Sequence, residues 1–318
     1  FSSQLKSVHN YFQSVSYDRF GIDLSESQIY PLSDTSYELS QEMSYYYPYN
    51  QEVIAEDRLV ELFSESIEKA YLIDGVDYSN YDLIIVFHAG IGQDFSLPFL
   101  DPTPEDIPST FIDPEMIKSS TGEDVITIGM NAIDKGIILP ETQNHLNYDI
   151  SNSMFSNETE PCDYQYGLSG TLSLMIGFAI GLPPLWDIEN GSSRIGVFGL
   201  MDQGSNNGRG VVPSPPDPWT RIYAGWEVPT IIDNNSEVRL PKVSKNNIAR
   251  VNINESEYFL IENRINHFRK GISLDSIRFK IWKETDTYPS FISSLKDSVE
   301  IEQDDNGVIT KIPNYDIG

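Results

Sequence analysis

Apolar and polar residues alternate along this chain on two periods, and the period changes near residue 230. In EVIAEDRLVELFSESIEKAYLI, Leu59, Val60, Phe63, Ile67 and Ala70 recur at helical spacing with charges on the other face, which predicts a helix over about 52–72. YDLIIVFHAG follows with a continuous apolar run from Leu83 to Phe87, the pattern of a strand buried on both faces. Gly90 and Gly92 then mark a tight turn. Residues 97–115 hold five prolines and read as irregular loop, while DVITIGM (124–130) reads as a second strand. Residues 1–50, rich in Tyr and Ser, read as loop and short strand. Beyond 230 the runs become short and alternating: EVRLPKV, ARVNIN, EYFLIENR, SIRFKIW and SVEIEQDDNGVITKI. The last predicts a hairpin turning at Asp305-Asn306-Gly307. The expectation is an α/β (α+β) domain over 1–230 and a β-rich region over 231–318, with no internal repeat.

One stretch stands apart. From Gly167 to Asp187 the chain reads GLSGTLSLMIGFAIGLPPLWD, without a charge between Asp163 and Asp187. Its apolar part, Leu168–Leu182, is 15 residues long and includes Ser169, Thr171, Ser173 and three glycines. A bilayer span needs roughly 20 apolar residues, so a buried helix ended by Gly181 and the prolines after it is expected. The following GLMDQGSNNGRGVVPSPPDPW (199–219) reads as a long loop, with its glycine-rich part at the rim of a site.

Composition narrows the function classes. The 318 residues carry 48 acidic and 21 basic side chains, a net charge of -27. Such a surface repels nucleic acid and anionic lipid, so no nucleic-acid partner is expected. It suits an extracellular or salt-tolerant protein and could recruit calcium, although no calcium site can be placed. Glu302–Gly307 is rich in acids but lacks the spacing of a helix–loop–helix calcium site. Cys162 is the only cysteine, so no intrachain disulfide can form. The chain opens FSSQLKSVHNYF, with neither an initiator Met nor a basic-then-apolar leader, and a cut at both ends is expected.

The order of several motifs carries a family resemblance. GLPPLWD closes the buried helix, GVFGLMDQGS follows, and PDPWTRIYAGW comes next. YDLIIVFHAGIGQD (81–94), GIILPET (136–142) and YFLIENR (258–264) fall in matching order around them. Together they resemble the immune inhibitor A family of secreted zinc metallopeptidases. There the corresponding helix carries His-Glu-x-x-His and runs into Gly-Leu-Pro-Asp-Leu-Tyr-Asp. The resemblance implies a zincin-like metallopeptidase domain with a twisted mixed sheet and a buried active-site helix. It also implies a secreted or cell-surface location, with a substrate groove for peptides.

At the centre the chain departs from that pattern. Leu174 falls where the first zinc-binding His would be, Met175 at the general base, and Phe178 at the second His. Two imidazoles four residues apart on a helix can share one zinc, and the Glu takes a proton from zinc-bound water. Leucine and phenylalanine offer no lone pair, and a thioether is neither a base nor a good zinc ligand. The family's third ligand aligns with Pro184 or Gly196, which offer no side-chain donor either. Gly177, Gly181, Met201 and Asp202 keep their places, and His88, Gly90 and Asp94 are candidate cleft or turn residues. His88 is expected mainly to hydrogen-bond its turn, whereas His9, His145 and His267 read as surface residues. No Gly-x-Ser-x-Gly elbow or phosphate loop is visible, and Cys162 lacks a helical His beside it.

The resulting expectation is a domain that has lost zinc and proteolysis and serves as a secreted or surface binding or scaffold module. A peptide or protein ligand in the former substrate groove would be its partner. The alternative is an active secreted metalloendopeptidase that uses other ligands.

Overall fold

The structure, a computed structural model, describes residues 1–33, 35–95, 103–143, 145–147, 162–164, 167–188, 190–233, 237–241, 247–264, 267–269, 272–273, 283–285, 301–312 and 315. It is an α+β protein with small mixed sheets. Among the described residues its main helices in chain order are α1 (Ser2–Ser16), α2 (Met43–Tyr46), α3 (Glu52–Asp74), α4 (Pro114–Thr121), α5 (Leu168–Ala179) and α6 (Pro218–Tyr223). By packing, the chain divides into two compact units, one of residues 26–168 and one of residues 1–25 with 169–318.

The 26–168 unit is built on β1 (Ile85–Ile91), β2 (Thr110–Ile112) and β5 (Gly136–Thr142), in the order β1-β5-β2. β1 runs parallel to β5 and β2 antiparallel to it. The apolar run at 83–87 therefore does not mark the strand with two covered faces. β1 is half-buried at a sheet edge, whereas β5 lies between two neighbours with Gly136 through Pro140 buried. The predicted strand at 124–130 is a hairpin of β3 (Ile126–Ile128) with β4 (Asn131–Ile133). The helix expected over 52–72 is α3, stopped by Gly75 at φ +67°. Its Leu59, Leu62, Phe63 and Ile67 pack with Ile112, Ile117, Ile133 and Ile138 in one core. Phe63 lies so close to Gly136 that a Cβ there would stand 2.0 Å from its ring. Tight packing of helix on sheet is the reason that position is glycine.

Here also lie β6 (His145–Asn147) and β7 (Cys162–Tyr164), which pair antiparallel.

The other unit begins with α1, which the Tyr- and Ser-rich composition of 1–50 conceals. Val8, Tyr11, Phe12 and Val15 have helical spacing and are buried. Phe12 meets Phe20 and Trp226 edge-on, and Phe20 stacks on Trp226 at 6.3 Å. Asn10 Nδ2 donates to Thr310 O at 2.8 Å, which joins α1 to the terminal hairpin. That hairpin, β13 (Glu302–Gln303) with β14 (Ile309–Lys311), turns where the sequence predicts, with Gly307 at φ +81°. Asp304 Oδ1 holds the turn by accepting from Asn306 N at 3.0 Å and Val308 N at 2.7 Å.

A three-stranded sheet of β8 (Thr230–Ile232), β9 (Ile248–Asn252) and β10 (Tyr258–Glu262) completes the unit's larger elements, in the order β10-β9-β8. β11 (His267–Arg269) and β12 (Ile272–Ser273) form a further pair. Residues 237–241 of the expected run EVRLPKV form no strand, and SIRFKIW (276–282) lies outside the described residues.

Candidate functional site

The charge-free stretch forms α5, and its end has a specific geometry. Leu182 N donates to Gly177 O at 2.9 Å and Gly181 N to Phe178 O at 2.8 Å. With Gly181 at φ +85°, this is a Schellman ending, which satisfies carbonyls that the helix leaves open. Leu182, two residues past the helix's own hydrogen-bond ladder, is 3% exposed, and its Cδ1 approaches the Gly177 face. The prolines that follow cannot extend the helix.

Two glycines let α5 press against neighbouring backbone and side chains. A Cβ at Gly170 would stand 2.0 Å from Ser205 O, and Gly170 N donates to Gly210 O at 2.7 Å. The glycine-rich stretch 203–210 packs against α5 with part of its length, while Gln203, Asn206 and Arg209 are exposed. Gly204, Ser205, Asn207 and Gly210 are buried, and the small residues allow the approach to Gly170. At Gly177 the neighbour is Met201, whose Sδ would be 2.7 Å from an added Cβ. Met201 is fully buried, and its carbonyl accepts from Leu185 N at 2.8 Å. The turn after the helix is thus pinned to the methionine segment by a backbone bond as well as by packing.

Leu174 and Phe178 lie four residues apart, one helical turn, and both are half-buried. Met175 is 9% exposed. Phe178 meets Trp186 edge-to-face, with ring centroids 5.6 Å apart and planes at 76°. The turn carrying Trp186 bridges Ser193, and Asp187 pairs with Arg194 at 2.7 Å. Pro184 is exposed on this turn.

Asp202 organises the segment before the methionine. Its Oδ2 accepts from the backbone N–H groups of Arg194, Ile195 and Gly196 at 2.9, 2.8 and 3.0 Å, and from Ser193 Oγ at 2.9 Å. Three successive N–H groups make an anion-binding concavity, and here the chain fills it with its own carboxylate. Burial pushes the Asp202 carboxyl up, but the hydrogen bonds from Ile195, Arg194, Ser193 and Gly196 outweigh it and hold the group below the usual carboxylate range. Gly196 sits in this nest at φ +64°, where an L side chain is strained.

The PDPWTRIYAGW segment forms α6, capped by Asp217, whose Oδ1 accepts from Trp219 N at 2.9 Å. Inside it, Arg221 is 4% exposed and forms 2.6 Å ion pairs with both Glu227 and Glu262. Burial works against the guanidinium charge, but the two carboxylates more than offset it, so its pKa is raised. Glu262 also pairs with Arg264 at 2.6 Å, and Arg264 Nη1 donates to Phe198 O at 2.7 Å. A chain of charges therefore runs from α6 through β10 to the loop that precedes Met201. The sequence shows the motif but not this network, because its members are 41 residues apart.

His88, Gly90 and Asp94 belong to the 26–168 unit. His88 is half-buried, with Nδ1 2.9 Å from Ala89 O and Nε2 3.1 Å from Ile107 O, so both ring nitrogens face backbone carbonyls. Gly90 takes φ +86°. Asp94 accepts from Ser109 N and Oγ at 2.9 and 2.7 Å and from Gln143 Nε2 at 2.7 Å, which ties together the ends of three segments. These residues hold a turn. His9, expected at the surface, is half-buried, and its Nδ1 lies 2.7 Å from Ile22 O and 3.1 Å from Ile22 N. The side chains of His145 and His267 lie outside the described residues, as does that of Cys162.

A zinc ion needs nitrogen, oxygen or thiolate donors, and Leu174, Met175, Phe178, Pro184 and Gly196 present none from their side chains. The residues at the helix do not fit the metal. Among the described residues, no group of three or more His, Cys, Asp or Glu side chains is placed to hold a metal ion. No described helix is long and apolar enough to cross a membrane. Comparison of the chain with protein-family models, curated proteins and solved structures finds no match.

Proposed function

We propose that this chain is a zincin-like domain of the immune inhibitor A type that has lost zinc and peptide-bond cleavage. It acts outside the cell or at its surface as a binding or scaffold module for a protein or peptide. The observation that carries this reading is the face of α5. Leu174 and Phe178 share the one-turn spacing of a zinc-ligand pair, yet Phe178 packs on Trp186 where a metal would need an imidazole. Support comes from the surroundings. Gly177, Gly181, Met201 and Asp202 each have a defined structural task, so the frame of the motif is kept while its donors are not.

Replacing an ion site by apolar side chains removes buried polar atoms that would otherwise stand unpaired. The substitution pattern is that of a repacked core with no cofactor at the former zinc position. Calcium elsewhere on the acidic surface is compatible with the reading. The test is cleavage of casein and of a peptide library by the purified chain, with and without a zinc chelator. No chelator-sensitive cleavage is expected. Cleavage abolished by the chelator and recovered with zinc would establish the active peptidase instead.

A further inference from the structure

The charge of this protein is unevenly distributed. Residues 26–168 hold 27 of the 48 acidic side chains and 4 of the 21 basic ones, a net of -23 out of -27. Within that unit a groove of about 510 Å³ runs between α3 and the end of α4. Ile54 supplies apolar surface over the buried Val60, Asp57 and Glu61 carboxylates, Arg58 a guanidinium, and Ser64, Ser120 and Thr121 hydroxyls. Asp57 makes no hydrogen bond or ion pair among the described residues. Glu61 is held in place by Arg58 at 2.6 Å, and the Arg58 guanidinium lies 3.9 Å over the Tyr45 ring.

We propose that this groove is a docking site for a basic segment of a partner protein, one that presents lysine or arginine next to an aliphatic residue. The chemistry matches at both scales. A long cationic side chain can lay its methylene stem on Ile54 while its charge reaches Asp57. The field of a unit with seven acids to each base draws such a segment in and disfavours acidic ones. The proposal uses no residue of α5, so it stands whether or not the chain cleaves peptides.

The test uses the full chain and fluorescence anisotropy with a labelled peptide of alternating lysine and leucine, beside its glutamate–leucine counterpart. Two double variants change the net charge equally: Asp57→Asn with Glu61→Gln in the groove, and Asp82→Asn with Glu105→Gln at exposed positions of the same unit. Ile54→Ser probes the apolar surface. The lysine–leucine peptide is expected to bind, the glutamate–leucine peptide to fail, and the groove pair to weaken binding about tenfold. Asp82→Asn with Glu105→Gln should change it less than about twofold, and Ile54→Ser about threefold or more. Equal losses in the two double variants would mean diffuse attraction to a polyanion, and absence of lysine–leucine binding would mean no site. Either result overturns the proposal.

Discussion

Met201 Sδ rests against the bare Cα of Gly177, at a distance that leaves no room for a Cβ. This pair couples α5 to the methionine segment 24 residues later. Gly177→Ala should therefore lower stability by about 1–3 kcal/mol even though alanine is the better helix former. Met201→Ala should cost about 2–4 kcal/mol through the cavity it leaves. If the contact is the cause, the double variant will be less damaged than the sum of the two, by about 1 kcal/mol or more. Urea unfolding of the four proteins measures this coupling. Strict additivity would mean that the two positions act separately.

Asp202 makes stability depend on pH in a defined direction. Its folded-state pKa is lowered, so its contribution is fully present above the unfolded value of about 3.9 and drains away as pH falls through the folded value. Asp202→Asn removes the charge and keeps the shape. It should cost about 1–3 kcal/mol at neutral pH and flatten the loss of stability on the acid side below about pH 4. Unfolding followed from pH 7 to pH 2 in both proteins checks the sign; an unchanged acid limb would remove Asp202 from the account.

The Arg221 network holds two buried charges, Arg221 and Glu227, and extends to the partly exposed Glu262 and Arg264. Arg221→Met strands Glu227, which is fully buried, and should cost about 3–5 kcal/mol. Because Glu262 passes the connection on to Arg264 and Phe198 O, the loss should also loosen the segment before Met201. Hydrogen exchange of the amides from Ile195 to Leu200 would show faster exchange in the variant. Unchanged protection there would confine the network to α6 and β10.

Building a His-Glu-x-x-His motif into α5 is a stricter trial of the proposal. Leu174→His, Met175→Glu and Phe178→His together supply two ligands and a base, but no third ligand. The triple variant should bind zinc weakly and lose several kcal/mol without metal, because Met175 lies in a nearly dry environment and Phe178 gives up its contact with Trp186. Of the two possible third positions, Pro184 is exposed and lies outside the Asp202 nest, whereas Gly196→Glu must adopt φ near +64° and would disturb it. Pro184→Asp is therefore the better addition. Zinc titration by calorimetry of the triple and the two quadruple variants decides between them, and tightest binding by the Gly196→Glu form would reverse this ranking.

Much of the site frame was legible in the sequence because local chemistry dictates it. A charge-free run with Gly181 ahead of two prolines specifies a buried helix and where it stops. Asp305-Asn306-Gly307 specifies its turn. What escaped depends on contacts distant along the chain. Apolar runs alone do not say which strand is central, so Leu83–Phe87 pointed to double burial when β5 holds that place. The spacing of Val8, Tyr11, Phe12 and Val15 would have revealed α1, had the Tyr and Ser content not suggested loop. Asp202 stood in a motif, but its capture of three consecutive N–H groups follows from the path of residues 193–196, which no local pattern encodes. The glycines of 203–210 include two with packing reasons distant in sequence or outside the stretch: Gly210 against Gly170, and Gly204 against Gly199 and Ser214.

The central claim is that packing has replaced metal chemistry on α5. The most direct measurement is zinc content after the purified chain is incubated with excess zinc and then dialysed, determined by elemental analysis. The account expects zinc well below one ion per chain and an unfolding temperature that zinc does not raise. One tightly retained zinc per chain, with thermal stabilisation to match, would contradict it.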